Sequence, residues 1–176
     1  MSDRILVVYA SRYGSTQETA EKVATAFGES GLDADVQPAR QVQDLAGYRA
    51  VVLGAPLYIG RWLKDARRFL ERHQAALTAL PVAVFTLGPT RAEDEWQEVR
   101  AQLDKQLAEY PWLKPVAVEL FGGKYDPAKL RFPVSLLAAL PASPLHGAPA
   151  NDLRDWEAIG AWASGLAQQL RSTATQ

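Results

Sequence analysis

The stretch that most constrains this chain is Ile5-Leu6-Val7-Val8-Tyr9-Ala10-Ser11-Arg12-Tyr13-Gly14-Ser15-Thr16. Its first half is a continuous apolar run rich in β-branched and aromatic residues, which reads as a strand buried on both faces. Three hydroxyl residues and one glycine follow within six positions. A helical pattern then runs from Thr19 to Phe27, with Val23, Ala24 and Phe27 on one face. Strand, hydroxyl-lined turn and helix N-terminus form an anion site: N–H groups converge, the helix dipole favours negative charge, and hydroxyls donate from the sides. Capping of the helix by one serine accounts for one hydroxyl. It does not account for the rest, so Ser11, Arg12, Tyr13, Gly14, Ser15 and Thr16 are read as a phosphate-binding turn.

Downstream, strand and helix patterns alternate. Asp33 to Pro38 reads as a short strand near an edge, Val42 to Tyr48 as a short helix or turn, and Ala50 to Gly54 as a compact buried strand. Ala55 to Trp62 is a loop punctuated by Pro and Gly and carrying two aromatics. One helix is predicted from Leu63 to Ala79, ended by Pro81. Val82 to Leu87 is the fourth strand, Glu93 to Ala108 a helix with Trp96, Val99, Leu103 and Leu107 as its stripe, and Pro115 to Phe121 the fifth strand. Residues 124–150 read as an irregular, proline-rich insertion with an apolar patch from Phe132 to Leu140. Asn151-Asp152 offers an N-cap for a last helix bearing Trp156, Ile159, Trp162, Leu166 and Leu170, frayed from Ser172.

Five strands alternating with helices predict a single α/β domain over residues 1–176, a three-layer, doubly wound five-stranded parallel sheet. Ligands of such sheets sit at the carboxyl ends of the strands. That directs attention to Ser11–Thr16, Ala55–Trp62 and Gly88–Arg91.

Composition removes several function classes. The 176 residues carry a formal net charge of −1, so no global field recruits nucleic acid or a membrane surface. Cysteine is absent, which excludes disulfide and thiolate chemistry. No apolar run approaches the ~20 residues that span a bilayer, and no signal-peptide pattern opens the chain. A cytoplasmic location is the expectation, and no metal site is assigned. G-x-G-x-x-G and G-x-x-x-x-G-K-[ST] are both missing from the first turn, and Ser11 and Ser15 do not lie in G-x-S-x-G. What remains is a phosphate at the first loop with a flat ring lying across the other two. Leu57, Tyr58 and Trp62 would supply apolar faces, and Pro56 and Gly60 backbone groups near a ring edge, as a tricyclic flavin requires.

The segment V-V-Y-A-S-R-Y-G-S-T-Q-E-T-A-E-K-V-A resembles the flavodoxin phosphate signature, with Ser11 in place of the common first Thr, then Gly14, Ser15 and Thr16. L-G-A-P-L-Y-I-G is similar to the second flavin loop. The resemblance, over about Ile5 to Gly123, implies a flavodoxin-like fold with non-covalent FMN. The residues it implies around the ring are Pro56, Leu57, Tyr58, Ile59, Gly60, Thr86, Leu87 and Gly88. D-L-R-D-W-E-A-I-G-A-W-A, from Asp152 to Ala163, resembles the end of flavodoxin-domain proteins related to menaquinone-dependent protoporphyrinogen IX dehydrogenase, which also carry a long insertion after the fifth strand.

Carrier flavodoxins are strongly acidic, whereas this chain is near neutral. Arg12, Arg61, Lys64 and Arg91 lie in its flavin-side loops, against Asp65 and Glu93. Cations there favour reduced, anionic flavin and offer a grip on an acidic substrate. His73 and His146 are given no role, and Lys124 and Tyr125 are candidates to reach substrate. The reading is an FMN-binding redox protein, either an oxidoreductase or an electron-transfer partner. Its counterpart is a redox protein or a small molecule, such as a quinone or an anionic substrate. A protoporphyrinogen IX or quinone-linked dehydrogenase is one alternative; a flavin-free interaction module on the same fold is another.

Overall fold

In a computed structural model of the chain, the structure describes residues 3–88, 95–130, 134–143, 146–147 and 150–173. In chain order the elements are β1 (Arg4–Tyr9), α1 (Ser15–Glu29), β2 (Ala34–Pro38), β3 (Tyr48–Tyr58), β4 (Arg61–Trp62), α2 (Lys64–Arg72) and α3 (Gln74–Ala79). They continue as β5 (Val82–Leu87), α4 (Glu95–Ala108), β6 (Ala117–Phe121), β7 (Lys124–Tyr125), α5 (Val134–Ala139), β8 (Asn151–Asp152) and α6 (Trp156–Thr173). The expected Gly88-Pro89-Thr90 turn, Arg91 and Glu93 fall largely outside the described residues.

The five parallel strands stand in the order β2-β1-β3-β5-β6. Counted among themselves this is 2-1-3-4-5, the doubly wound order expected, with its reversal between β1 and β3. Side chains alternate between faces along each strand. Ile5 and Val7 therefore pack with Val52 and Phe85 under α1 and α6, while Leu6 and Val8 pack with Leu53 and Val84 under α2, α3 and α4. Helices cover both faces, which is why the strands read as unbroken apolar runs. Gly54 is required by this packing, because a Cβ there would stand 2.1 Å from the Phe85 ring.

Two expectations for the first half of the chain are corrected. Ala55–Trp62 is not a loop: β3 runs on to Tyr58, pairing Ala55 with Thr86 and Pro56 with Leu87, then folds back through a two-residue turn onto β4. Pro56 is tolerated because β1 ends its pairing at Gly54, leaving that side of β3 without a partner strand. The helix expected over Leu63–Ala79 breaks at His73, whose φ of −106° and ψ of 16° separate α2 from α3. Ala66, Phe69, Leu70 and Leu77 are buried on both sides of the break, so the apolar stripe carries no sign of it. The helix or turn expected over Val42–Tyr48 is a turn at Ala46-Gly47, where the Tyr48 N–H donates to the Leu45 carbonyl at 3.3 Å, and a short 3-10 turn precedes it at Ala39–Gln41.

The insertion is more regular than its prolines suggest. β7 pairs antiparallel with β8, and α5 lies between them in sequence. Asn151-Asp152 thus forms a strand instead of a cap, and Asp155 takes the capping role, accepting from the Ala158 N–H at 2.9 Å. α6 stays helical through Thr173, past the expected fraying point. Among the described residues, no helix is long and apolar enough to cross a membrane.

Candidate functional site

At the reversal point, the Ala10 N–H donates to the Gly54 carbonyl at 2.9 Å and the chain leaves the sheet. The Ser11 hydroxyl accepts from the Gly14 N–H at 2.9 Å, closing a tight turn. Gly14 has φ +91°, which a side chain would oppose. α1 begins at the next residue, and no side chain caps it. The serine cap that would have been the plain alternative is therefore not made. The first N–H groups of α1 lack intrahelical acceptors, as in any helix. Thr16 is fully buried, and its Oγ1 has no partner; the Tyr13 hydroxyl is likewise enclosed without one. An unpartnered buried hydroxyl costs about 1–3 kcal/mol. An uncapped helix start with an orphaned hydroxyl beneath it fits a phosphate.

Glu18, in the first turn of α1, would repel an anion. Arg154 holds it: Nη1 donates to Glu18 Oε2 at 2.8 Å and to the Ser15 carbonyl at 3.1 Å. The same guanidinium donates to both carboxylate oxygens of Asp152, at 2.8 and 2.7 Å, and lies over the Trp156 ring. The side chain of Arg154 is 2% exposed. These hydrogen bonds, Asp152 first, raise its pKa, and the Arg154 bond in turn holds the Asp152 carboxyl below its ordinary value. Arg154 thereby ties the β7–β8 ribbon to the first loop. Asp152 and Trp156 are its neighbours in sequence, but its contacts with Ser15 and Glu18 come from the far end of the chain and are not marked locally.

The crevice beside the loop has a volume of about 220 Å³. It brings together Tyr13, Ser15, Pro56, Leu57, Tyr58, Leu87 and Gly88, all read as site residues, and adds a wall of Gly123 and, from the insertion, Lys124, Tyr125, Asp126 and Lys129. The candidates Lys124 and Tyr125 are thus at the crevice, while Lys129 was not legible in the sequence. Tyr13 and Tyr58 meet with ring centroids 6.4 Å apart, and the Arg12 guanidinium stands 5.6 and 5.8 Å from them. Burial first, then Tyr13, pushes the Tyr58 phenol up to about 12, so it remains a protonated hydrogen-bond donor at neutral pH. Ser11, Arg12 and Gly14 line an adjoining groove that runs past Pro38, Arg40 and Asp65.

The other expected residues stand elsewhere. Thr86 shares its strand face with Val84, is fully buried, and accepts from Trp62 Nε1 at 3.1 Å, so its hydroxyl points away from the crevice. Trp62, expected to offer a ring face, is 1% exposed and belongs to the core beneath α2. Ile59 and Gly60 form the β3–β4 turn with φ of 50° and 71°, and the Ile59 side chain is fully exposed. Of the expected cations, Arg61 faces Glu109 at 3.6 Å and Lys64 lines neither cavity. Among the described residues, the charged groups lining the two cavities are Arg12, Arg40, Lys124 and Lys129, with Asp65 and Asp126 beside them.

Comparison with known proteins agrees with this geometry. A family model described as a flavodoxin domain matches residues 6–135. Protoporphyrinogen IX dehydrogenase (quinone) of Escherichia coli K12 is 22% identical over 171 residues, covering 93% of this chain and 94% of that protein. NAD(P)H dehydrogenase (quinone) of Cupriavidus metallidurans is 30% identical over 91 residues, covering 39% of this chain and 46% of that one. Among solved structures, a flavodoxin from the domain Archaea superposes with a TM-score of 0.57 at 16% identity, over 96% of this chain and 99% of its own. Sheet order, an uncapped helix start at the strand reversal and the family match converge: the chain belongs to the flavodoxin domain family, flavin-binding redox proteins whose cofactor is non-covalent FMN.

Proposed function

We propose that this protein is an FMN-dependent oxidoreductase acting on a small molecule held in the crevice. The observation that carries the reading is the wall of Gly123, Lys124, Tyr125 and Lys129, which stands across from Pro56, Leu57 and Tyr58. A concave, mostly apolar cavity with a few charged groups suits a small ligand. A carrier needs its flavin edge open to a protein partner.

In this reading the first-turn N–H groups of α1, with the Ser15 and Thr16 hydroxyls, hold the FMN phosphate. Ser11 and Gly14 shape the turn, with Arg12 and Tyr13 over it. Pro56, Leu57 and Tyr58 flank the ring on one side, with the Ile59-Gly60 backbone at its edge, and Leu87 and Gly88 flank it on the other. Bound FMN supplies electron transfer at its ring without a protein nucleophile. Lys124 and Lys129 would attract an anionic or quinone-type reactant, and the Tyr58 hydroxyl would donate a hydrogen bond into the cavity. A second reading, a protoporphyrinogen IX or quinone-linked dehydrogenase, draws support from the Escherichia coli relative, which aligns along nearly its whole length.

The test is anaerobic turnover of the FMN-loaded protein with a soluble quinone as acceptor and NADH, NADPH or protoporphyrinogen IX as donor. Many turnovers with one donor, and a raised KM for the anionic reactant in Lys129→Glu, are the expected result. Reduction that stops after one equivalent with every pair would return the protein to the carrier class.

A further inference from the structure

The arginines fall into two groups. Arg4, Arg49, Arg61, Arg100 and Arg154 are ion-paired; Arg12 lies over two tyrosine rings, Arg67 donates to the Trp62 carbonyl at 3.2 Å, and Arg171 is also engaged. Among the described residues, Arg40, Arg68 and Arg72 make no hydrogen bond, ion pair or ring contact. All three line one cleft of about 140 Å³.

The cleft lies between the 3-10 turn after β2, which carries Arg40, and one face of α2. Asp65, Arg68, Phe69 and Arg72 follow at the three- and four-residue spacing that brings side chains together on a helix. Arg40, Arg68 and Arg72 are exposed, and two like charges four residues apart disfavour a helix slightly, an effect that a bound anion would offset; among the described residues Asp65 is the sole acid lining the cleft. His73 closes it. It is 8% exposed, and its Nε2 is enclosed with no partner. Three guanidiniums and a buried imidazole nitrogen around one concavity match a phosphoryl group, whose oxygens accept from planar arginine forks and from an Nε2–H. Arg40 and Asp65 also border the groove that runs to Ser11 and Gly14, so a ligand anchored here can extend toward the cofactor loop.

We propose that this cleft is a second anion site, one that takes a phosphoryl group, free or carried on a small molecule, and is separate from the first loop. The inference stands on the arginines and does not depend on the flavin reading. Calorimetric titration of the FMN-loaded protein at fixed ionic strength tests it, with inorganic phosphate and adenosine 2′,5′-bisphosphate as probes and chloride as control. Saturable binding to one site is expected, at least tenfold weaker in Arg68→Ala/Arg72→Ala and unchanged in Arg100→Ala. Equal affinity for both probes would assign the site to the free ion. Tenfold tighter binding of the bisphosphate would assign it to a nucleotide; both outcomes support the site. No saturation above the chloride control, or wild-type affinity in the double variant, overturns it. So does loss of FMN from that variant, which would place these arginines in the flavin site. If the wild-type protein fails to retain FMN, the same titration on the apoprotein still decides the second site.

Discussion

β1 and β3 meet the crevice side by side and leave the sheet differently. β1 releases the chain at Ala10, and within five residues the uncapped end of α1 stands over an orphaned Thr16 hydroxyl. β3 continues past the end of β1 through Ala55, Pro56, Leu57 and Tyr58, and among the described residues it pairs there with β5 and with its own return strand β4. The first segment offers backbone N–H groups, whose direction a short turn fixes. The second presents side chains from an overhanging strand, whose direction depends on what lies beneath it. A turn of the first kind is encoded within a dozen residues. A wall of the second kind needs the neighbouring strands in place.

That difference can be broken at its most crowded point. Gly54→Ala drives a Cβ to 2.1 Å from the Phe85 ring at the root of the overhang. A cost of about 3 kcal/mol in urea unfolding is expected, the upper part of the range for overpacking. Wild-type stability would show that the overhang is not anchored by Phe85. Next in size is Arg154→Met, which removes the tie between β8 and the first loop. Loss of buried, charge-assisted hydrogen bonds predicts about 2 kcal/mol of destabilisation at neutral pH. Its pH dependence has a defined sign. The Asp152 carboxyl is held below its ordinary value in the folded protein, so its contribution is complete above the unfolded carboxyl range, ~3.9, and is lost as pH falls through the folded value. The gap between Arg154→Met and wild type should therefore narrow in acid; a constant gap would contradict the Asp152 pairing. The smallest effect runs the other way. A β-branched residue at φ 50° in a two-residue hairpin is strained, and Asn-Gly is the favoured pair for such a turn. Ile59→Asn should stabilise the protein by about 1 kcal/mol, read as a raised urea midpoint.

Legibility in the sequence followed the same division. The first strand, the hydroxyl turn and α1 were readable because strand burial, turn chemistry and helix periodicity are local. The strand order followed from the alternation of patterns. The continuation of β3 was hidden by Pro56, which reads as a loop residue unless one knows that β1 stops at Gly54. The face that Thr86 takes is not legible, because the two faces of a fully buried strand look alike in sequence, and the Trp62 indole that donates to it comes from another strand. Lys129 and Arg154 reach the site through the β7–β8 pairing, a contact between residues far apart in the chain. The orphaned Nε2 of His73 was invisible for the same reason: a histidine on a helix face gives no hint of three arginines gathered around it.

The measurement that tests the account most directly is paired: FMN affinity by fluorescence quenching and apoprotein stability by urea, for wild type and Thr16→Val. The orphaned hydroxyl predicts opposite signs. Replacing a buried, unpartnered hydroxyl with a methyl should stabilise the apoprotein by about 1 kcal/mol, and losing a hydrogen bond to a charged phosphate should weaken FMN binding by about 2 kcal/mol, on the order of thirtyfold. Wild-type protein that leaves FMN unquenched, or a Thr16→Val variant that binds FMN as tightly as wild type, would contradict the placement of the cofactor phosphate at the start of α1.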